Sequence, residues 1–529
     1  MTSTVPASVQ FPGAVPEMFN MAELLLATPG AAGCSDQPSL YYRDEVVTYG
    51  QLIQMVNRVG NGLRQLGLRR EQRVLIALPD SPAFIATFLG AMKIGAVPVP
   101  VTTLTRCADY QYFLRDSRAR ILVVGAELLP VFESFLGEVP TLKATLVVGN
   151  RRGSWLDWEK MVNSASSQLD YEPTRGEEMS YWLYSSGTTG RPKAVIHLHG
   201  DMVHCTRPFL DEVACLSPSD RIFSVAKMGF SYGLVSSLYL PLLTGASVVL
   251  LADRPEPATV LETLRRYRPT VFFSVPTAYL RLLQFIEREE PAVDFRSLRL
   301  CVSAGEPLPA WLFEQWRARF GLEILDGLGS TEAGYIYLCS RPGQARPASC
   351  GHLLPGFDGK LVDEQGQPVA EGEVGELWLK GDSLAAGYWH DDSETRKTFL
   401  GAWFRTGDMF VREADGYYRY VGRRDDLFKV SGHWVSPLEV EDVLLSHSSV
   451  AECAVVGGTD AYGLLKPCAY VRLKDGLAPA NLRQELQDYV RARLESFKVP
   501  RQIEYVPSLP RTTTGKIQRV RLREVRESV

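Results

Sequence analysis

The sequence predicts an α/β fold, because buried strands alternate with helices through most of the chain before residue 335. Residues 73–78 form an apolar, strand-like run, and Ser81-Pro82 then supplies an N-cap and a first-turn proline for a helix. Apolar side chains of that helix recur at helical spacing as far as Met92, and a strand follows at residues 96–101. Strands separated by helices of this length pair in parallel and are covered on both faces.

The same alternation continues and predicts two α/β subdomains between about residues 40 and 335. Further helices are predicted at residues 110–117, 258–267, 277–290 and 308–320, and further strands at 121–124, 247–252, 270–274, 298–303 and 322–325. Beyond Gly351, short β-prone runs such as 375–380 are separated by glycine-rich turns, which indicates a small β-barrel or sheet. A mixed tail follows the charged segment 422–426, with predicted strands at 454–456 and 469–473 and a helix at 482–494.

Length and composition are those of an ordinary soluble globular protein with several structural units. Apolar residues make up 45% and charged residues 22% of the 529 residues, and the formal net charge of −4 favours neither nucleic acid nor an anionic membrane as a partner. Nine cysteines without a CxxC pair favour a reduced, cytoplasmic setting. The first 20 residues do not resemble a signal peptide, and no run of about 20 apolar residues occurs.

The stretch from Tyr184 to Lys193 carries the strongest chemical signal. It follows an apolar run at 181–184, and its polar and glycine residues are Ser185, Ser186, Gly187, Thr188, Thr189, Gly190 and Lys193. Glycines let backbone N–H groups point inward and the hydroxyls add donors, a combination that suits polyphosphate oxygens. The stretch is not a GxxxxGK[ST] loop, because Arg191-Pro192 separates Gly190 from the lysine.

Five further segments follow in order. They are Ser303-Ala304-Gly305-Glu306-Pro307, Asp326-Gly327-Leu328-Gly329-Ser330-Thr331-Glu332, Trp403-Phe404-Arg405-Thr406-Gly407-Asp408, Tyr420-Val421-Gly422-Arg423-Arg424-Asp425-Asp426 and Pro510-Arg511-Thr512-Thr513-Thr514-Gly515-Lys516. The second lacks the third glycine of a dinucleotide fingerprint. Together with the phosphate loop, these segments resemble in order and spacing the motifs of the adenylate-forming superfamily. That superfamily includes acyl-CoA synthetases, luciferases and the adenylation domains of peptide synthetases, and the resemblance covers the chain from about residue 40 to its end.

The resemblance implies an ATP site. Beyond the phosphate loop, the implied ATP-binding residues are Ala304, Gly305, Glu306, Pro307, Asp326, Gly327, Leu328, Gly329, Ser330, Thr331, Asp408 and Arg423. The turn at 304–307 would border adenine, Asp408 and Arg423 would contact the ribose hydroxyls, and Thr331 would contact phosphate. Glu332 would be the Mg²⁺ ligand, since Mg²⁺ takes one or two carboxylates together with phosphate oxygens.

The resemblance also implies a reaction in two steps. A carboxylate attacks the α-phosphorus of MgATP to give an acyl-adenylate and pyrophosphate, and a thiolate then displaces AMP. Lys516, Glu332 and Thr331 would be catalytic, and the thiol of CoA would approach along Lys429, Ser431, Gly432 and His433. Residues 1–424 would bind acid and ATP, whereas 425–529 would form a mobile domain that carries Lys516 and turns about Asp425. The protein is expected to be a monomer or homodimer.

The acid is indicated by two segments. Lys227-Met228-Gly229-Phe230-Ser231-Tyr232-Gly233 looks like the benzoate-CoA ligase branch, and it is joined by Ala333-Gly334-Tyr335-Ile336. The implied acyl pocket consists of Phe230 as an aromatic gate, Ser231, Tyr232, Gly305, Gly329, Tyr335 and Ile336. Benzoate-type members usually carry His where this chain has Tyr335. Because a buried hydroxyl requires a partner, we expect benzoate or an ortho-substituted benzoate such as 2-aminobenzoate (anthranilate).

Other interpretations remain open at this point. His197, His199 and the pair His204-Cys205 superficially suggest a metal site, but their apolar strand pattern favours packing or polar positioning. The acyl acceptor could be a carrier-protein pantetheine instead of CoA. A fatty acid fits the aromatic pocket poorly. A non-catalytic nucleotide-binding protein is a further alternative, although it would have no need of a mobile lysine such as Lys516.

Overall fold

The fold described here is that of a computed structural model. It describes residues 15–31, 34–150, 153, 155–185, 191–430, 433–459, 464–474, 476, 479–511 and 517–527. The strands are β1 (Pro38–Tyr42), β2 (Glu45–Thr48), β3 (Arg73–Ala77), β4 (Val97–Pro100), β5 (Ile121–Gly125), β6 (Ala144–Val148), β7 (Leu156–Asp157), β8 (Met179–Ser185), β9 (Lys193–Leu198), β10 (Arg221–Ser224), β11 (Ser247–Leu250), β12 (Val271–Ser274), β13 (Leu300–Ala304), β14 (Ile324–Gly329), β15 (Ile336–Cys339), β16 (His352–Leu353), β17 (Phe357–Val362), β18 (Val374–Gly381), β19 (Gly387–Tyr388), β20 (Phe399–Leu400), β21 (Trp403–Arg412), β22 (Tyr418–Arg423), β23 (Phe428–Val430), β24 (His433–Val435), β25 (Val450–Thr459), β26 (Leu465–Leu473) and β27 (Gln502–Tyr505).

The α-helices are distributed along the whole described chain. They are α1 (Met21–Ala31), α2 (Tyr49–Gln65), α3 (Pro82–Lys93), α4 (Cys107–Ser117), α5 (Leu129–Glu133), α6 (Trp158–Ser164), α7 (Asp201–Phe209), α8 (Ser231–Leu234), α9 (Leu240–Thr244), α10 (Pro257–Tyr267), α11 (Pro276–Glu289), α12 (Ala310–Phe320), α13 (Asp392–Thr398), α14 (Pro437–Leu445), α15 (Leu482–Arg491) and α16 (Arg519–Glu527). A π-helical turn, Val235–Tyr239, joins α8 to α9. None of the described helices is long and apolar enough to cross a membrane.

Two sheets confirm the predicted α/β class. Strands β4-β3-β5-β6-β7 form a five-stranded sheet in which every pair is parallel. Strands β16-β15-β14-β13-β12-β10-β11-β1-β2 form a nine-stranded sheet. The central strands of both sheets are rich in Val, Ile, Leu and Phe and are buried on both faces, as expected where helices cover a parallel sheet.

The edges of the nine-stranded sheet differ from the all-parallel prediction. β2 is antiparallel to β1, and β15 and β16 are added as antiparallel strands beside β14. These connections are short enough for the chain to reverse without a crossover helix, which a parallel connection would require.

The region predicted as a small β-barrel or sheet contains antiparallel strands. β17-β18-β21-β20 form one sheet with β22 paired to β21, and β8, β9 and β19 form a separate three-stranded sheet. The second sheet matters for the site because β8 and β9 enclose the phosphate loop. Ser185 at the end of β8 pairs with Lys193 at the start of β9. Residues 186–190 between them lie outside the described part of the chain.

The C-terminal part has a small α+β core of its own. Apolar side chains between Phe428 and Ile503 form a cluster separate from the large one that runs from Phe19 to Tyr418. The segment between the two parts is anchored on both sides of Asp425. Arg424 donates to Glu376 at 3.0 Å, and Asp426 accepts from Arg523 at 2.8 Å. A domain boundary at 424/425 remains a prediction.

One buried carboxylate ties together the starts of three neighbouring strands. Asp220, just before β10, accepts from Thr270 Oγ1 at 2.6 Å and from Arg299 Nε and Nη2 at 2.9 Å each. Thr270 precedes β12 and Arg299 precedes β13. Burial alone would raise the pKa of Asp220, but the hydrogen bonds from Arg299 and Thr270 outweigh burial, and its pKa is lowered.

We predict that Asp220→Asn lowers the free energy of unfolding by about 2 kcal/mol at pH 7, because the buried ionic hydrogen bonds are lost. Because the pKa of Asp220 is lower in the folded than in the unfolded protein, its charge stabilises the fold fully when the pH is above the unfolded-state pKa. This stabilisation is lost as the pH falls through the folded-state pKa. The difference in thermal midpoint between wild type and variant should therefore be constant from pH 8 to about pH 5 and narrow below that.

The control is Asp44→Asn, which removes an exposed partner of Arg266 and should leave the thermal midpoint nearly unchanged. Equal midpoints for wild type and Asp220→Asn at pH 7 would contradict the role assigned to Asp220.

Candidate active site

The nucleotide side of the candidate site lies at the carboxyl ends of β13 and β14, where parallel strands present ligands. The two strands are paired so that Ala304 lies beside Gly327. Gly305 and Pro307 follow β13 and are exposed, whereas Asp326 is buried and burial raises its pKa to about 7. Glu306 accepts from the Thr277 hydroxyl and, at 3.4 Å, from the Thr277 N–H in the first turn of α11, so its carboxylate caps that helix.

The segment Asp326-Gly327-Leu328-Gly329 was predicted to follow a strand, and that prediction is wrong. These four residues are the last part of β14. Their glycines allow close approach rather than a turn: a Cβ on Gly327 would lie 2.8 Å from Ile336 Cδ1, and one on Gly329 would lie 2.4 Å from the Tyr335 carbonyl oxygen. β14 can therefore pair with β15 immediately beside the site.

The turn that follows β14 is fixed through its backbone. The four carbonyls of residues 331–334 accept hydrogen bonds from three segments: Thr331 from His197 Nε2 at 2.7 Å, Glu332 and Ala333 from the Ala385 N–H at 2.8 Å and Ser383 Oγ at 2.9 Å, and Gly334 from Ser231 Oγ. Such a turn holds the half-buried side chains of Thr331 and Glu332 in one position.

The Glu332 carboxylate accepts from the Tyr388 hydroxyl at 3.0 Å. Tyr388 lies on β19, which pairs with β9, and Lys193 at the start of β9 lies with its Nζ 5.3 Å from the centre of the Tyr388 ring. Lys193 Nζ also contacts Glu394 of α13 at 2.5 Å. The structure thus brings the phosphate-loop lysine to the ring, and Glu332 to the hydroxyl, of one tyrosine.

The residues present fit a Mg²⁺ ion at Glu332. Among the described lysines and arginines, none forms an ion pair with this carboxylate, so its oxygens are available to a cation. Mg²⁺ favours a few carboxylate oxygens and completes its shell with phosphate oxygens and water. Among the described residues, no cluster of three or more His, Cys, Asp and Glu side chains could hold a metal ion.

The predicted ribose contacts form one hydrogen-bonded group. Arg423 Nη1 donates to Asp408 Oδ1 at 3.0 Å and to the Thr406 carbonyl at 3.0 Å, and the Tyr420 hydroxyl donates to Asp408 Oδ1 at 3.1 Å. Asp408 most strongly, and Glu332 more weakly, hold the pKa of Arg423 above its usual range against the opposing effect of desolvation. The negative charge of Glu332 therefore lies close enough to interact with the Arg423 guanidinium.

Two of the predicted acyl-pocket residues, Tyr232 and Tyr335, lie next to each other beyond the Thr331–Gly334 turn. The Tyr232 and Tyr335 rings are nearly parallel, with centres 6.2 Å apart, and the Tyr232 hydroxyl lies 3.2 Å from the Ser274 carbonyl and 3.1 Å from the Val302 carbonyl. A spacing of 6.2 Å leaves no room for a third ring between the two tyrosines, so the predicted slot must lie beside them. Ile336 is buried next to Tyr335, and Phe230 is half-buried at the start of α8.

Sequence reasoning did not identify four residues of this region. Ser236 lies in the π-helical turn with its Oγ 3.5 Å from the Tyr335 hydroxyl, and Asp80 accepts from the Met228 N–H at 3.0 Å behind the pocket segment. Tyr388 and Glu394 contact Glu332 and Lys193. A π-helical turn often marks a functional site, but the helical pattern of 231–244 gives no sign of one.

Three of the predicted residues of the thiol approach and hinge are described. Lys429 Nζ lies 3.3 Å from Glu364, the His433 ring stacks on Phe497 with centres 4.8 Å apart, and Asp425 is exposed. Ser431, Gly432 and Lys516 lie outside the described residues.

His197 on β9 and His199 just after it are both held inside the protein. His197 Nδ1 lies 3.0 Å from Asp201, and its Nε2 bonds Thr331 as described above. His199 Nδ1 accepts from the Met21 N–H at 3.1 Å, and burial lowers the pKa of His199 to about 4. These are the contacts of positioning side chains.

We predict that Asp408→Asn raises the KM for ATP about tenfold and leaves the KM for the acid within about twofold, since a charged acceptor is exchanged for a weaker neutral one. Steady-state kinetics with each substrate varied would test this. Asp415→Asn is the control, because Asp415 lies in the turn between β21 and β22 and its arginine partner Arg346 is at the surface. Equal changes in both KM values for Asp408→Asn would contradict a specific contact with the nucleotide.

Comparisons with known proteins agree with this geometry. A family model described as AMP-binding enzyme matches residues 29–389, and one described as AMP-binding enzyme C-terminal domain matches residues 439–516. The benzoate–CoA ligase of Thauera aromatica is 43% identical over 513 residues, which cover 96% of each chain. Two solved structures are similar. The anthranilate CoA ligase AuaEII in complex with anthranoyl-AMP has a TM-score of 0.92 at 38% identity, with 97% of this chain and 98% of that one covered. A benzoate CoA ligase from Burkholderia xenovorans LB400 has a TM-score of 0.87 at 37% identity, with 96% and 100% covered.

Proposed function

The chain belongs to the AMP-binding enzyme family and is an AMP-forming acid–thiol ligase, and from this premise we propose that it joins an aromatic carboxylate to CoA. One observation carries the proposal. The single turn after β14 holds Glu332 on the nucleotide side and Tyr335, three residues later, at the aromatic pocket. The metal–phosphate group and the carboxylate of an aromatic acid would therefore meet at one place.

The proposed first step is attack by a carboxylate oxygen on the α-phosphorus of ATP, with pyrophosphate as the leaving group. Glu332, held by Tyr388, would bind Mg²⁺, which when bound neutralises phosphate charge. Asp408 and Arg423 would fix the ribose, and Lys193 would exchange its contact with Glu394 for phosphate oxygens. The protein contributes position and charge rather than a covalent intermediate.

An aromatic acid would suit this region because the side chains around Tyr232 and Tyr335 are rigid rings. Tyr335 and Phe209 make an edge-to-face contact with centres 5.1 Å apart, and Tyr232 and Phe273 do the same at 6.1 Å. A flat acid can bury its ring against such side chains without ordering a long flexible chain, which costs conformational entropy.

The Tyr335 hydroxyl favours a substituted ring. Ser236 Oγ donates its hydrogen to the Tyr232 carbonyl, so it can only accept from Tyr335, at a long 3.5 Å. The phenol oxygen of Tyr335 retains its acceptor capacity in a buried position. We therefore propose that a benzoate with a donor substituent, such as 2-aminobenzoate, is preferred over benzoate itself.

The second step would be attack by the CoA thiolate on the acyl-adenylate, with release of AMP. Lys429 and His433, the latter stacked on Phe497, would line the approach of the thiol, together with Ser431 and Gly432. A carrier-protein pantetheine is the alternative acceptor, because the same thiol would enter in the same way.

The proposal is tested by pyrophosphate release with ATP and Mg²⁺ across benzoate, 2-aminobenzoate, hydroxybenzoates, cinnamate and a medium-chain fatty acid, each with and without CoA. Turnover with a benzoate that depends on CoA is the expected result. Adenylate formation without turnover of CoA would identify a carrier protein as the acceptor. No pyrophosphate release with any acid would overturn the proposed function and favour a nucleotide-binding protein.

We predict that Lys516→Ala abolishes adenylate formation but still converts supplied acyl-adenylate and CoA to thioester, because Lys516 would bridge the carboxylate and the α-phosphate only in the first step. Loss of a preorganised donor typically costs about 10²–10³ in rate. The two half-reactions can be followed separately by pyrophosphate exchange and by thioester absorbance. Equal damage to both would contradict this role.

We predict that Tyr335→Phe lowers kcat/KM for 2-aminobenzoate about tenfold and changes that for benzoate less than about twofold, since one hydrogen bond to the substituent is lost. Tyr337→Phe is the matched control, because Tyr337 is equally buried, two residues further on, and its ring packs against Phe357. An unchanged preference between the two acids would exclude Tyr335 as the specificity residue.

A further inference from the structure

A buried histidine–aspartate pair lies directly behind the Thr331–Gly334 turn. His197 is on β9, and Asp201 is the first residue of α7. Both side chains are almost completely removed from solvent. His197 is buried, and its hydrogen bond to the site is the one from Nε2 to the Thr331 carbonyl at 2.7 Å.

The hydrogen-bond partners fix the orientation of the imidazole ring. A backbone carbonyl only accepts, so Nε2 must carry the hydrogen that is donated to Thr331. Nδ1 faces Asp201 Oδ2 at 3.0 Å, and the same oxygen accepts from the Leu198 N–H at 2.9 Å. The ring also stacks on Tyr181, with centres 5.0 Å apart and planes inclined by 12°. The imidazole therefore has one position available to it.

This pair joins the two halves of the phosphate site. β9 begins at Lys193, beside the phosphate loop, and four residues later its His197 bonds the residue next to Glu332. β19, the neighbour of β9, supplies Tyr388 to the carboxylate of Glu332 itself. The three-stranded sheet thus holds the Glu332 side chain through Tyr388 and the backbone of the preceding residue, Thr331, through His197.

We propose that His197, oriented by Asp201, is a positioning residue that sets the Glu332 carboxylate for the Mg²⁺ of bound MgATP. The inference rests on the proposed function, in which Glu332 binds the metal. Replacing a residue that orients a metal ligand by hydrogen bonding typically lowers metal affinity or activity about 10–100-fold. His197 would act indirectly: it holds the Thr331 carbonyl, and the Thr331 backbone in turn positions Glu332.

The test is calorimetric binding of a non-hydrolysable ATP analogue with Mg²⁺ and with EDTA in its place. His197→Ala should weaken binding about tenfold with Mg²⁺ and less than about twofold with EDTA. His197→Gln, whose amide can donate to the Thr331 carbonyl, should recover most of the loss. His199→Gln is the matched control two residues further along the chain, because His199 is equally buried but bonds Met21 and not the site.

Equal losses with Mg²⁺ and with EDTA, or an equal loss in His199→Gln, would show a merely structural role and overturn the inference. Wild-type affinity in His197→Ala would overturn it as well. If His197→Ala does not fold, the Mg²⁺-specific loss should appear in Asp201→Asn, and its absence there would decide against the pair. Failure of the wild-type protein to bind the analogue with Mg²⁺ would instead overturn the proposed function.

Discussion

The structure of the site depends on one constraint, the anchoring of a four-residue turn by its own carbonyls. Residues 331–334 leave none of these four acceptors without a donor, and the donors come from β9, from α8 and from the segment at 383–385. An unpaired buried carbonyl is costly, so the turn and the three segments stabilise one another. The fixed backbone keeps the side chains of Thr331 and Glu332 in position. Electrostatic stabilisation of a charged transition state requires groups that are positioned in advance.

The same turn connects the proposed nucleotide site with the proposed aromatic pocket. On one side, Glu332 shares Tyr388 with Lys193 and acts on the charge of Arg423, so the groups proposed to hold phosphates and ribose form one electrostatic unit. On the other side, Tyr335 enters a cluster of aromatic rings that excludes water. A low local dielectric strengthens every charge interaction at the boundary between the two.

The sequence was sufficient for the fold class because its strands and helices are strongly patterned and well capped. Ser81, for example, caps α3 as expected, with its hydroxyl accepting from the Phe84 N–H. It was misleading at Gly327 and Gly329, which were expected to follow the strand predicted at 322–325 but lie within β14, where they allow close packing. Contacts such as Tyr388 with Glu332, 56 residues apart, and Ser236 with Tyr335, 99 apart, have no local signature and arise only from the tertiary fold.

The central claim, that a carboxylate oxygen attacks the α-phosphorus of ATP at this site, can be tested directly by isotope transfer. An aromatic acid labelled with ¹⁸O in both carboxylate positions would be converted to thioester in a single turnover with MgATP and CoA. The account predicts one labelled oxygen in AMP and one in the thioester carbonyl, because the carboxylate–phosphorus bond formed first is retained when the carbon–oxygen bond breaks. Unlabelled AMP with the label in inorganic phosphate or pyrophosphate would contradict the account.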